Sequence, residues 1–336
     1  MKIYEIAEPK GIDNLKVVER ATPHPDTGEV LVRVRATSLN YRDLVTVKGG
    51  AVTRGIRLPL VPLSDGAGEV VEVGRDAARF KPGDRVVASF FQSWLAGPPQ
   101  SSFFRSALGG AINGTLSEYI SLSENGLVRI PDYMTFEEAA TLPCAAVTSW
   151  NALVSMGRMT AGETVLVLGT GGVSIFALQF ARMHGSRVIA TSSSDAKLGR
   201  LRELGAFGVI NYKTTPDWDA QVLEMTGGEG VDHVIEVGGA GSLAKSIKAV
   251  KLGGRISLIG LLAGGGQIDP MPMLLKSVTL QGVFVGSRQM FEEMNRAMEI
   301  NHVHPIIDRV FPFVEARDAY RYLESGAHFG KVCIAV

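Results

Sequence analysis

Two kinds of hydrophobic pattern divide the chain. Up to about residue 125, apolar positions alternate in the short runs KVVER, EVLVRVRAT, AGEVVEVG, DRVVASF and LSEYISLS, with Pro, Gly and Asp punctuating the gaps. A period of two marks strands with one buried face, so this part predicts an antiparallel, barrel-like domain. The tight turn Phe80-Lys81-Pro82-Gly83-Asp84 feeds one of these strands. Between Phe91 and Asn113 the pattern dissolves into a long loop. Loops of that length in a compact domain usually shape a site or a partner contact.

After about Pro131 the period changes. TVLVLG (164–169) is a continuous apolar run of the kind buried in a parallel sheet, and the helix-period segment GVSIFALQFARMHG follows it. RVIAT, a helix from about Asp195 to Leu204, and GVINY repeat the unit. Next come a helix around Trp218–Met225, VDHVIEV, a helix through Leu243–Val250, and RISLIG. SVTLQGVFVG (277–286) reads as a sixth strand and 289–301 as a further helix. Strands alternating with helices predict an α/β class with a doubly wound parallel sheet. The tail, ending GKVCIAV, returns to short strands expected to fold back onto the first domain. The expected division is therefore 1–124 with 302–336, and 125–301.

Composition narrows the function. At 336 residues, two domains are expected. Lys+Arg and Asp+Glu are 34 each, and this zero balance argues against nucleic-acid or membrane-surface binding. No apolar stretch is long enough to span a bilayer, and the first residues carry no signal-peptide h-region, so a soluble, cytoplasmic protein is expected. Cys144 and Cys333 lie far apart, which excludes a disulfide framework or a four-cysteine zinc site.

The strongest chemical signal is Gly169-Thr170-Gly171-Gly172-Val173-Ser174, joining the first parallel strand to its helix. Glycines allow a sharp turn and close approach to a pyrophosphate, while the helix N-terminus offers free N–H groups and a positive dipole end. Ser174 stands where the third glycine of such a motif usually falls. The second strand then ends Thr191-Ser192-Ser193-Ser194, followed by Lys197. An NAD site wants a carboxylate there for the ribose 2′-hydroxyl, whereas hydroxyls and a cation suit a 2′-phosphate. The pattern predicts NADP(H) in preference to NAD(H), with Ser192, Ser193 and Lys197 as contacts. Asp195 is read as a cap of the next helix, a role the serines could also fill.

A second signal is PLVPLSDGAGEVVEVG (59–74), where Ser64 and Asp65 precede a small-residue turn and an alternating strand. With Asn40-Tyr41-Arg42-Asp43, FKPGDRV, GTLSEYI, AATLPCAAVTSWNAL, LRELGAFGVINY, GVDHVIEVGG, GGRISLIG and the terminal GKVCIAV, the chain resembles the medium-chain dehydrogenase/reductase superfamily over essentially its whole length. The resemblance implies a Rossmann dinucleotide-binding domain and a GroES-like antiparallel β-barrel domain.

In the zinc alcohol dehydrogenases of that superfamily, a Cys, a His in Gly-His-Glu and a second Cys hold the catalytic metal. The matching places here carry Asn40, Ser64 and Cys144. Asn and Ser are poor zinc ligands, and one thiolate cannot complete a protein tetrahedron. The structural zinc lobe would fall in the 91–113 loop, which holds no cysteine. The chain is thus similar to the zinc-free quinone oxidoreductase-like branch, and no metal is expected. His302 and His304 are read as surface residues.

Without a metal, hydrogen-bond donors must stabilise the oxygen that gains charge during hydride transfer. The candidates are Asn40, Tyr41 and Arg42. Tyr41 comes first, since a phenol both donates to an oxyanion and relays a proton. Ser64-Asp65 resembles the remnant of a His-Glu metal pair and is a candidate part of the site; Asp43 and Asp65 either orient these donors or serve as turn or capping residues. The resemblance further implies cofactor contacts from Thr148, Tyr212, Gly260, Leu261, Phe284, Val285 and Gly286, and Cys144 is read as a small buried hydrophobe.

The expected activity is an NADPH-dependent, metal-independent transfer of hydride to a quinone, enone or related carbonyl. Three alternatives stay open: an enoyl-thioester reductase, a non-catalytic NADPH-binding protein, and a zinc-dependent alcohol dehydrogenase with unusual ligands. The first is disfavoured because Ala51 stands where those enzymes place a tyrosine. A homodimer through the edge strand 277–286 is expected, because long apolar edges are normally paired or covered.

Overall fold

The strand Glu29–Leu39 organises the first half of the chain in this computed structural model, which describes residues 1–49, 56–260, 262 and 266–336. The first strands are β1 (Lys2–Ile6), β2 (Leu15–Glu19), β3 (Glu29–Leu39), β4 (Asp65–Val73), β5 (Arg85–Ala88), β6 (Tyr119–Ser123) and β7 (Leu127–Arg129). Helix α1 (Tyr41–Lys48) follows β3, and α2 (Phe136–Ala140) follows β7. Then come α3 (Val147–Trp150) and a second series: β8 (Thr164–Leu168), α4 (Gly172–Met183), β9 (Arg187–Ser192), α5 (Asp195–Glu203), β10 (Gly208–Asn211) and α6 (Trp218–Met225). It continues with β11 (Val231–Glu236), α7 (Ala240–Ala249), β12 (Val250–Leu258), α8 (Met271–Leu275) and β13 (Thr279–Gly282). The tail holds α9 (Arg288–Ile300), β14 (Ile307–Pro312), α10 (Ala316–Glu324) and β15 (Lys331–Ala335).

The chain divides into two compact units, one of residues 1–147 and 285–336, the other of 148–284. These limits differ from the expected 124/125 and 301/302 for a physical reason. β7 pairs with β5 and so belongs to the first unit, and Asn295 of α9 hydrogen-bonds Arg129 there.

In the first unit the sheet order is β14-β15-β3-β4-β5-β7, with β6 also paired to β3. β3 is long enough to serve three neighbours: β4 along its length, β6 at its start and β15 at its end. Two register shifts against β4 bend it, as bulges do in barrel-like sheets. Tyr4, Leu39, Leu44, Leu63, Tyr320 and Ile334 are among the side chains of one core. Val32, Val70, Val86 and Leu122 belong to another. Helix α10 lies between the tail strands, where the sequence pattern predicts strands alone. Its Ala316, Ala319, Tyr320 and Leu323 form the buried face of an amphipathic helix.

The second unit is a six-stranded sheet, all parallel, in the order β10-β9-β8-β11-β12-β13. The fully buried residues Val165, Leu166 and Val167 explain the unbroken apolar run of β8. After β8 the chain winds outward to β10, then crosses to β11 and winds the other way. The carboxyl ends of β8 and β11 therefore flank the topological switch point, where open α/β sheets bind ligands. The edge strand is shorter than the expected 277–286: it covers Thr279–Gly282. Positive φ at Ser277 (51°) and Val285 (58°) turns the chain out of strand geometry on both sides.

Candidate active site

The register of β3 with its two neighbours builds the polar site of the first unit. Ser38 faces Asp65 on β4 and Cys333 on β15. Asn40, just past the end of β3, thereby meets the first residues of both neighbouring strands, Asp65 and Lys331. Asp65 is fully buried. Its Oδ2 accepts from Asn40 Nδ2 at 2.9 Å, Ser38 Oγ at 3.1 Å and Lys331 Nζ at 3.4 Å, and its Oδ1 accepts from Ser64 Oγ at 2.7 Å. Lys331, 2% exposed, also donates to Asn40 Oδ1 at 2.7 Å and to the Leu39 carbonyl at 2.8 Å. Sequence reasoning missed this lysine, although it stands in the GKVCIAV landmark. The signal that could have found it is a lone cation opening an otherwise apolar strand, which needs a partner if it is buried.

The segment after Asn40 is held just as firmly. Asn40 has extended backbone geometry and its N–H donates to Asp43 Oδ2 at 2.8 Å, a reciprocal cap on α1. Burial raises the Asp43 carboxyl to about 6, against the lowering pull of Arg42. Arg42 is committed to the long loop: it donates to the carbonyls of Leu108 and Gly109, each at 3.1 Å, and its guanidinium lies 4.9 Å from the centre of the Phe90 ring. Tyr41 is 53% exposed. Cys144 is partly buried, and burial, with Asp65 nearby, pushes its thiol pKa well up. His302 and His304 are both exposed, and His304 Nδ1 lies 2.7 Å from Glu138 Oε1.

In the second unit, Gly169 ends β8 with φ 76° and Gly171 precedes α4 in extended geometry. A Cβ on either glycine would meet nothing within 4 Å, so the backbone there borders open space. Ser174 donates to the Leu168 carbonyl at 2.6 Å, closing helix onto strand with a hydroxyl where a glycine is usual. Thr170 is buried, and Gly172 and Val173 open the helix. Ser192 is buried at the end of β9, with Ser193 and Lys197 partly exposed on the following turn and helix. Ser194 takes the N-cap position of α5. Asp195, one residue on, accepts from Asn211 at 2.8 Å. The N–H of Tyr212 donates to the Ser192 carbonyl at 3.0 Å, which ties the ends of β9 and β10 together.

The other expected cofactor contacts are more scattered. Thr148 is buried in α3. Gly260 stands where an added Cβ would come within 2.5 Å of the Val237 carbonyl. Phe284 is half exposed, while Val285 and Gly286 are buried. Leu261 and Ala51 lie outside the described residues. Glu236, fully buried at the end of β11, was not foreseen. Its Oε1 accepts from the N–H groups of Gly238 and Gly239 at 2.8 and 3.1 Å and from Ser242 Oγ at 2.6 Å, fixing the turn into α7.

Comparison with known proteins gives these sites a context. Residues 26–132 match the alcohol dehydrogenase GroES-like domain, and residues 172–299 match the zinc-binding dehydrogenase family. A zinc-type alcohol dehydrogenase-like protein of Schizosaccharomyces pombe is 45% identical over 98% of this chain and 97% of its own. The human quinone oxidoreductase is 27% identical over 97% of this chain and 95% of its own. A crystal structure described as an alcohol dehydrogenase of Sinorhizobium meliloti shares 41% identity, with a TM-score of 0.92, and covers 100% of this chain and 98% of that one.

Fold, glycine turn and relatives together define an NAD(P)H-dependent oxidoreductase. The chain belongs to the medium-chain dehydrogenase/reductase superfamily, in its quinone oxidoreductase-like branch.

The residues present fit a nicotinamide dinucleotide, because the turn 169–173 offers open backbone and a twelve-residue helix N-terminus to a pyrophosphate. When bound, that cofactor supplies the hydride. They do not fit a catalytic zinc. At the matching places the Asn40 oxygen already accepts from an ammonium and the Ser64 hydroxyl is bound to Asp65. Among the described residues no three His, Cys, Asp or Glu side chains form a metal-holding group. No helix of the described residues is long and apolar enough to cross a membrane.

Proposed function

We propose that the protein is an NADPH-dependent, metal-independent reductase of quinones, enones or related carbonyls. The observation that carries this reading is the buried Lys331–Asp65–Asn40–Ser64 network. It gathers a buried protein cation and its counter-charge around Asn40 and Ser64, two of the places that match the metal ligands of zinc-dependent relatives. A bound nicotinamide would supply the hydride, while Asn40 serves the substrate oxygen by hydrogen bonding and Tyr41 by supplying the proton. Ser192, Ser193 and Lys197 support the choice of NADPH, since they offer hydroxyls and a cation to a 2′-phosphate, while the nearby Asp195 carboxylate is engaged by Asn211. The quinone class draws support from the human relative named for that activity.

A homodimer belongs to the same proposal. Among the described residues β13 is the last strand of its sheet, and an edge strand of this kind invites pairing with a second copy.

The test is NADPH and NADH oxidation with a panel of quinones, enones, aldehydes and enoyl thioesters, run with and without a chelator beside metal analysis. Quinone or enone turnover with NADPH preferred, chelator-resistant and without stoichiometric zinc, supports the reading. Chelator-sensitive alcohol oxidation or enoyl-thioester preference would replace it, and silence across the panel would favour a binding protein. Sedimentation reads the dimer directly.

A further inference from the structure

We infer that Lys331 is a positioning residue for the reduction: clamped with Asp65 on either side of the Asn40 carboxamide, it holds that amide in the one orientation that leaves an N–H for the substrate oxygen. The inference rests on the carbonyl-reductase reading above.

An ammonium has three N–H donors and no acceptor, and a carboxylate has acceptors only. Lys331 Nζ meets three acceptors: Asn40 Oδ1, the Leu39 carbonyl and Asp65 Oδ2. Its donors are thereby used, so it has none left for substrate and must act through another group. Asn40 supplies that group. Its Oδ1 faces the ammonium at 2.7 Å and its Nδ2 faces the carboxylate at 2.9 Å. Turning the amide over would set nitrogen against ammonium and oxygen against carboxylate, losing both bonds at once. The flanking charges therefore fix which end of the amide donates.

One amide N–H is spent on Asp65. Among the described contacts the second has no acceptor, and Asn40 is only partly buried whereas Asp65, Ser64 and Lys331 are buried. The charges of Lys331 and Asp65 cancel inside the fold, and their effect reaches the substrate as a preoriented neutral donor. Preorganised donors of this kind lower a barrier because they need no reorganisation as charge develops.

A purely structural ion pair would look similar in stability, so the test is a cycle in catalysis. Wild type, Lys331→Met, Asn40→Ala and the double variant are compared for kcat, KM and NADPH affinity. Lys331→Met is expected to lower kcat about ten- to a hundred-fold with NADPH affinity held within about twofold. In the Asn40→Ala background it should cost no more than about a further twofold, because its effect runs through that amide. Lys331→Arg should recover part of the loss. Multiplicative losses, or wild-type kcat in Lys331→Met, overturn the inference. Should Lys331→Met not fold, the same cycle is run on Asp65→Asn/Lys331→Met, which removes both buried charges together.

A second readout needs no turnover. The side-chain amide NMR pair of Asn40 should move and exchange faster with solvent in Lys331→Met; an unmoved pair refutes the clamp. A silent substrate panel with a shifted amide pair would instead discard the proposed reaction and keep the clamp.

Discussion

Ser38 and Asp65 stand opposite each other across β3 and β4, and the serine hydroxyl donates to the aspartate at 3.1 Å. Both residues are fully buried, so their polar atoms are matched by protein partners. Asp65→Ala would leave the Lys331 ammonium buried without a counter-charge. Removing one partner of such a pair costs about 3–5 kcal/mol, far more than an exposed ion pair. A large fall in the denaturant midpoint is expected, with part of it restored in Asp65→Ala/Lys331→Met. A loss below about 1 kcal/mol would place Asp65 among the weakly coupled surface charges.

Gly171 separates folding from cofactor binding. It has φ −75° and ψ 176°, geometry open to any residue, and a Cβ there would touch nothing within 4 Å. Gly171→Ala should therefore keep the wild-type melting temperature. The same methyl would stand where a pyrophosphate must approach the backbone, so NADPH affinity should fall about tenfold or more. Titration by fluorescence beside a thermal melt checks both halves, and unchanged affinity would move the phosphate site away from this turn.

Much of this was legible in the sequence because periodicity is local. The run TVLVLG and the glycine turn behind it need only their neighbours to be read as strand, turn and helix, and β8 and α4 follow that reading. The α10 helix was hidden because a short amphipathic segment between strands carries few periods. Lys331 was hidden for another reason. It and Asp65 are 266 residues apart and meet only because β15 and β4 flank the same end of β3. A lone cation at the head of an apolar strand signals burial, but no local pattern names a partner chosen by strand order. Glu236 escaped for a different cause: its partners are local, but its acceptors serve the turn and helix that follow it and form no ligand motif.

Asp43 gives a pH signature with a definite sign. Its folded-state pKa is raised from 3.8 to about 6, chiefly by burial. The native state then holds the proton more tightly than the unfolded chain, so stability from this group is present below about pH 4 and lost as pH climbs toward 6. Asp43→Asn keeps an oxygen for the Asn40 N–H and cannot ionise. Urea midpoints measured from pH 4 to 7 should show a component falling across that window in wild type and missing in the variant. Parallel curves would mean that the native carboxyl titrates at its ordinary value.

Tyr41 carries the sharpest catalytic expectation. It opens α1 directly after Asn40, and at 53% exposure it is the most open of residues 40–43, whereas Arg42 is tied to Leu108 and Gly109. A proton delivered to the reduced oxygen needs such a group, because the Asn40 amide can donate a hydrogen bond but does not give up its proton. Tyr41→Phe removes the phenol and keeps the ring. Loss of a general acid costs about 10²–10⁴ in rate, so kcat should drop by about a hundredfold or more while NADPH affinity stays unchanged. Reduction of quinones of rising potential distinguishes the roles further. Acceptors that need little help from a proton should lose less in Tyr41→Phe than aldehydes or enones do, and an equal loss for every acceptor would indicate that the phenol positions the substrate and leaves the proton to water.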